Sequence, residues 1–192
     1  MAESGLRERK KRSTRAEIEQ CSLKLFVASG FAETTVDQIA EAADVSSRTV
    51  SRYFANKEQI VLDGLIAPEL PDAIAEAPAE LGPIAAVRAG VSRLYATHPD
   101  ARARYTLIVR TPVLQNALFD SFRRSTEAFE EGIARRLDRR VDDPMVSTLA
   151  GAITGTLLST FTTLVRSGAT EFENYLVEVD RRLGQLDTLF QI

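Results

Sequence analysis

Between Thr34 and Lys57 the chain reads TTVDQIAEAADVSSRTVSRYFANK, two short helical patterns joined by a tight turn, the second loaded with polar and basic side chains. Val36, Ile39 and Ala40 recur at the spacing that lines one helix face. A capping-box start is open to Thr34 with Asp37 or to Thr35 with Gln38, since a hydroxyl accepts from an unpaired amide while the polar residue three positions on reaches back. Ala43-Asp44-Val45 interrupts the pattern, and Ser46 offers a second N-cap. The helix after it turns Val50 inward, helped by Val45 and Phe54, and leaves Ser47, Arg48, Thr49, Ser51, Arg52 and Tyr53 outward. That surface suits a duplex. Arginine forks onto guanine O6 and N7 in the major groove, and hydroxyls and phenols bond phosphates and base edges. Any short polar helix looks similar, however, and the turn lacks glycine, so these residues alone leave DNA binding and a plain solvated helix both open.

Helical spacing continues through the rest of the chain, which predicts an all-α fold. Met1 to Ser13 carries Arg7, Arg9, Lys10, Lys11 and Arg12 with few apolar residues and reads as a mobile basic arm, able to order against a minor groove or simply to solubilise. Ile18, Cys21, Ser22, Leu25 and Phe26 then form one stripe of a helix from about Thr14 to Ser29, closed by Gly30 with Phe31 folding back. Cys21 on that stripe reads as core filler rather than a redox sensor. Asn56 caps a fourth helix from Lys57 with Ile60, Val61, Leu62, Leu65 and Ile66. Pro68, Pro71, Pro78 and Pro83 break up residues 67 to 83, which reads as a domain boundary or a connector.

Helices follow over about 83–96, from Asp100 to Val109, over about 113–140, from Pro144 to about Ser167 behind an Asp143 cap, and over about 171–190. His98, before a proline in a turn, reads as structural. The aromatics of the 113–140 helix suit either a cavity lining or ordinary core. The helix from Pro144 is apolar nearly all round, with Gly151, Gly155 and Ser159 in a small-residue row at spacing four. A helix apolar on every face must be covered on every face, which predicts a partner. Together with the last helix it predicts a four-helix homodimer interface.

Composition narrows the function classes. One cysteine excludes an intramolecular disulfide, and one histidine, His98, excludes a Cys/His metal cluster. No metal, cofactor or catalytic residue is expected: there is no phosphate-binding glycine loop and no nucleophile-base constellation. The basic N-terminus lacks the apolar run of a signal peptide, and no uninterrupted apolar stretch approaches a membrane span, so a soluble cytoplasmic protein with no membrane contact is expected. The net charge of −3 divides unevenly: residues 1–57 hold ten Lys/Arg against eight Asp/Glu, and 58–192 hold fourteen against nineteen. The first part is thus +2 and the second −5, and local charge decides whether a polyanion is attracted.

Gly30-Phe31, Thr34-Thr35-Val36, Ile39-Ala40, Ala43, Val45-Ser46, Thr49, Tyr53-Phe54 and Lys57-Glu58 closely resemble the DNA-binding domain of the TetR (tetracycline-repressor) family over about the first third of the chain. Where that family usually has glycine before Thr49 this chain has Arg48, and Ser51 and Arg52 replace its aromatic pair, so its operator sequence transfers less well. The resemblance implies a three-helix helix-turn-helix domain at 1–57, including the basic arm, and a larger helical ligand-binding and dimerisation domain at 58–192. It implies DNA contacts from Thr35, Ser46, Ser47, Arg48, Thr49, Ser51, Arg52, Tyr53 and Lys57, the lysine touching phosphate. It also makes the fourth helix the link to the sensor.

The region around His98-Pro-Asp and Tyr105 to Leu118 further resembles the mycofactocin-regulator subgroup, which implies an acyl-CoA-like effector. On that resemblance the effector's site draws on Tyr95, Arg104, Arg110, Leu114, Leu118, Phe119, Phe122, Leu158 and Phe161, the arginines neutralising phosphate or carboxylate. For each arginine the plain alternative is a solvated surface charge. The expected protein is a homodimeric repressor on a palindromic operator, released by a small hydrophobic or acyl-type ligand. The alternatives are an effector-independent regulator and a helical carrier or enzyme using the C-terminal cavity.

Overall fold

The computed structural model describes residues 2–65, 67–98 and 100–190, and their side chains apart from those at 2–4, 8, 96, 97, 120 and 122. Every regular element among them is an α-helix: α1 (Ala2–Ser29), α2 (Val36–Ala42), α3 (Ser47–Tyr53), α4 (Lys57–Asp63), α5 (Leu70–Ala75), α6 (Pro83–Thr97), α7 (Ala101–Arg110), α8 (Pro112–Leu137), α9 (Pro144–Ser167) and α10 (Phe172–Phe190). They form two compact units, Met1–Leu65 with Ala103–Ala117, and Ile66–Arg102 with Leu118–Ile192. In this division α4 falls with α1–α3, whereas the expected cut lies at 57/58, and a second, later stretch of chain joins them.

In the first unit α1 buries Ile18, Ser22, Leu23 and Phe26. Gly30 sits at φ 91°, which only a residue without Cβ adopts freely, and lets Phe31 fold back onto Phe26 with ring centroids 5.0 Å apart. Cys21 is half-buried, its thiol donating to the Ala42 carbonyl at 3.2 Å; desolvation and the Glu17 carboxylate push its pKa up, which keeps it protonated. The helix begins at Ala2, so the basic segment is helical where a mobile arm was expected. Arg, Lys and Glu are good helix formers, and a helix already nucleated by a packed segment extends at little cost.

In the second unit Ile74, Ile84, Val87, Phe129, Ile133, Val146, Ile153, Val179 and Leu183 meet in a common core. The proline-rich stretch is part of it rather than a loose connector: Pro71 and Ile74 of α5 are buried, and a Cβ on Gly132 of α8 would come within 3.1 Å of the Pro71 Cα. Arg136 fixes the turn after α5, donating to the carbonyls of Ala77, Pro78 and Leu81 at 2.8, 2.7 and 2.6 Å. Asp143 caps α9 by accepting from the Met145 amide at 2.8 Å, with Pro144 at the first helical position.

By length and composition alone α9 is apolar enough to cross a membrane, with a mean hydropathy of 1.4 over an 18-residue window, 33% of which is buried, a test that the core helix of a soluble protein also passes. Gly151, Gly155 and Ser159 lie exposed along it. On α10, Val177 is 70% exposed.

Candidate nucleic-acid interface

Of the two capping boxes open to α2, Thr35 and Gln38 form one: the Gln38 amide donates to the Thr35 hydroxyl at 3.2 Å, and the Thr35 amide donates to the Gln38 side chain at 2.8 Å. Thr34 is buried and donates to the Gly30 carbonyl instead. The turn after α2 manages without glycine because Asp44 takes a left-handed φ of 51°, which aspartate tolerates better than most residues. The Val45 amide then donates to Ala40 at 3.0 Å, and Ser46 caps α3 by accepting from the Thr49 amide at 3.1 Å. Ser47 donates to Asp37 at 2.5 Å and ties α3 to α2. Val50 and Phe54 are buried, as their spacing requires.

The opposite face of α3 is the one expected to meet DNA. Arg48, Ser51 and Arg52 are exposed, and Ser47, Thr49 and Tyr53 half-exposed. The Arg52 guanidinium lies 5.4 Å from the centre of the Tyr53 ring. Ser46, Arg48, Thr49, Ser51 and Arg52 line a depression of about 360 Å³. A larger groove of about 690 Å³ has Val45, Thr49, Arg52 and Tyr53 on one side and Arg7, Lys10, Lys11 and Thr14 of α1 on the other. Among the described residues, no carboxylate lines either concavity.

Lys57 is tied to the loop between α1 and α2: its ammonium donates to the carbonyls of Phe31 and Thr34 at 2.9 and 2.7 Å and lies 4.9 Å from the Phe31 ring centre. Thr35 and Ser46 are exposed but serve first as helix caps.

Arg15 has a role the sequence did not single out. It donates to the Tyr53 carbonyl at the end of α3, pairs with Asp63 of α4 at 2.5 Å and with Glu19 at 3.1 Å, and lies 4.3 Å from the Phe54 ring centre. One guanidinium thereby fixes α3 against α1 and α4. The partners lie 38 and 48 residues away, so no local pattern announces it. Arg7, Lys10, Lys11 and Thr14 did leave a signal, spacing i, i+3, i+4 and i+7, which marks one face of a helix.

Known families decide what this arrangement is. A family model for bacterial regulatory proteins of the tetR family matches residues 21–63, and one for the MftR C-terminal domain matches residues 81–186. The chain belongs to the TetR family. It is a DNA-binding transcriptional regulator and not an enzyme.

The TetR-family assignment extends to individual relatives. A Mycobacterium tuberculosis protein whose name assigns it to regulation of mycofactocin biosynthesis, MftR, is 28% identical over 160 residues, 80% of each chain. The transcriptional regulator TcmR of Streptomyces glaucescens is 52% identical over 58 residues, which is 30% of this chain and 26% of that one. In fold, the chain is similar to the TetR-family repressor FadR of Thermus thermophilus, solved with lauroyl-CoA, at a TM-score of 0.60 and 19% identity over 93% of this chain and 95% of that one. A TetR-family regulator of Mesorhizobium loti gives 0.53 at 19% identity, with 93% and 96% covered.

The residues expected to hold an effector in this TetR-family chain divide between the two units. Arg104, Arg110 and Leu114 lie in the first unit, and Tyr95, Leu118, Phe119, Leu158 and Phe161 in the second. The Phe122 side chain lies outside the described residues. Arg104 is held within the first unit. It is 2% exposed, donates to the carbonyls of Ile60 and Val61 at 2.7 and 2.8 Å, and pairs with Glu19 at 3.0 Å. Arg110 is exposed and Leu114 fully buried. In the second unit Tyr95 stands edge-on to Phe172 at 6.1 Å, and desolvation pushes its pKa up to about 12. Phe161 stands edge-on to Tyr175 at 6.5 Å, Leu118 is buried, Leu158 half-buried, and Phe119 is 55% exposed.

Proposed function

We propose that this regulator is a homodimeric repressor acting in the cytoplasm, which reads a palindromic operator through α3 and leaves it when a small hydrophobic or acyl-type ligand binds. The observation that carries the reading is the outer face of α3, where Arg48 and Arg52 stand exposed among hydroxyls and no carboxylate of the described residues lines the depression. In this reading Ser47, Arg48, Thr49, Ser51, Arg52 and Tyr53 make the base and phosphate contacts. Thr35 and Ser46 hold the helix ends that present them. A single seven-residue helix gives little affinity, so two copies binding two half-sites supply the rest.

Support for the dimer comes from α9 and α10: an apolar helix only one-third buried, an open row of Gly151, Gly155 and Ser159, and an exposed Val177 suit a self-complementary four-helix contact. Support for an acyl ligand comes from the lauroyl-CoA complex of the similarly folded FadR, together with the aromatic and aliphatic side chains at Tyr95, Leu118, Leu158 and Phe161. Release follows only if ligand prefers the DNA-free spacing of the two reading heads, and the ligand must then bind the DNA complex correspondingly worse.

A gel-shift titration against the DNA flanking the protein's own gene, with acyl-CoA and free fatty acid as competitors, tests the reading. A specific shift at one imperfect palindrome, abolished by one competitor, is expected. Specific binding that no competitor disturbs removes the acyl ligand, and an absence of specific binding to that DNA removes repression of the protein's own gene.

A further inference from the structure

We infer that the N-terminal turns of α1 are a preformed helical wall that grips the DNA backbone, so that one strand's phosphates run in the groove between Lys10 and Lys11 on α1 and Arg52 and Tyr53 on α3. The inference rests on the DNA-binding reading of α3 and adds to it a second contacting element with a different task. Its basis is the groove of about 690 Å³, which carries Arg7, Lys10, Lys11 and the hydroxyl of Thr14 on the α1 wall and Arg52 with the hydroxyls of Thr49 and Tyr53 on the other, with no carboxylate among the described residues that line it. Such a lining matches phosphodiester, which offers charge and acceptor oxygens but no sequence.

The helical state of this segment decides which cations act. A flexible arm brings all five basic residues to the duplex regardless of their order. A helix brings only one face: Arg7, Lys10 and Lys11 line the groove, whereas Arg9 and Arg12, equally exposed, do not. Thr14 marks the inner end of that face, its hydroxyl turned back to the Lys10 carbonyl at 3.1 Å. Contact on this face fixes the angle at which α3 approaches the duplex, because α1 and α3 are locked by Arg15 through the Tyr53 carbonyl.

Two double variants of equal charge separate the alternatives: Lys10→Gln with Lys11→Gln, and Arg9→Gln with Arg12→Gln. Glutamine keeps helix propensity close to that of lysine and arginine, and far-UV circular dichroism of each variant checks that helix content is kept. Binding of the full-length protein to a random-sequence duplex, followed by fluorescence anisotropy from 50 to 200 mM salt, gives the slope of log K against log salt. The lysine pair is expected to make that slope shallower by about 1.8 per protomer, about 0.9 for each phosphate no longer neutralised, while the arginine pair leaves it unchanged. On the operator, the lysine pair is expected to lower specific and random-sequence affinity in the same ratio.

Equal effects of the two pairs, no effect of either, or a lysine effect confined to one base sequence would each overturn the inference, and leave the α3 reading intact. Failure of the wild-type protein to bind any duplex at 50 mM salt would remove both.

Discussion

Arg104 and Lys57 show what a charged side chain does when its partners are backbone carbonyls. Arg104 reaches the last turn of α4 through the Ile60 and Val61 carbonyls and meets Glu19 of α1, so it fastens the end of the fourth helix to the first. Gly64 is needed beside it, because a Cβ there would collide with the guanidinium. Arg104→Met keeps the length but strips the donors from two carbonyls and a carboxylate. It is expected to cost about 3 kcal/mol and to lower the melting temperature by about 6–12 °C. A calorimetric midpoint unchanged by Arg104→Met would show that the clamp contributes nothing. Neither role was legible in the sequence, since a lone arginine or lysine shows its charge but not the carbonyls it faces across more than twenty residues. The caps were legible: Thr35, Ser46, Asn56 and Asp143 act on amides within three residues, so their partners stand in the same short window.

Among the elements, α3 and its turn followed closely from the sequence because Val50 and Phe54 must face inward and the rest then face out. The start of α1 did not follow: charge density suggests mobility, although the spacing of the basic residues describes a helix face. In α10, Glu178 accepts from both Arg181 and Arg182 at 2.6 Å. Those bonds, Arg181 first, lower its pKa from 4.5 to about 2. A carboxyl whose folded value is depressed stabilises the fold above its unfolded pKa, and that contribution fades as pH falls toward the folded value. The difference in urea midpoint between wild type and Glu178→Gln should therefore be full at pH 6, shrink below about 4.5, and vanish near pH 2. A difference independent of pH across that window would mean the bonds do not form.

On the scale of the molecule, the DNA-binding unit is built from two separate pieces of chain, because residues 103–117 return to it long after α4 has ended. The sequence suggests a boundary at 57 because the helix-turn-helix pattern ends there; packing between distant stretches of chain carries no local mark. A fragment of residues 1–65 lacks Arg104, and with it one of the two arginine partners of Glu19 and the donor to the α4 carbonyls. It is expected to melt at lower temperature and less cooperatively than the same region in the full chain, as read by hydrogen exchange of the α4 amides. Equal protection of those amides in fragment and full chain would make 103–117 dispensable.

That this TetR-family regulator recognises its operator through Arg48 and its neighbours on α3 is tested most directly by hydroxyl-radical footprinting of the wild type and Arg48→Ala on the DNA flanking its gene. The account predicts two symmetric protected half-sites about one helical turn or a multiple of it apart, about 34–36 Å for one turn. It also predicts a loss of about 1–3 kcal/mol in specific binding for Arg48→Ala, with relaxed base preference and an unchanged dimer. Wild-type protection of a single unpaired site, or an Arg48→Ala variant with the same affinity and the same base preference, would contradict it.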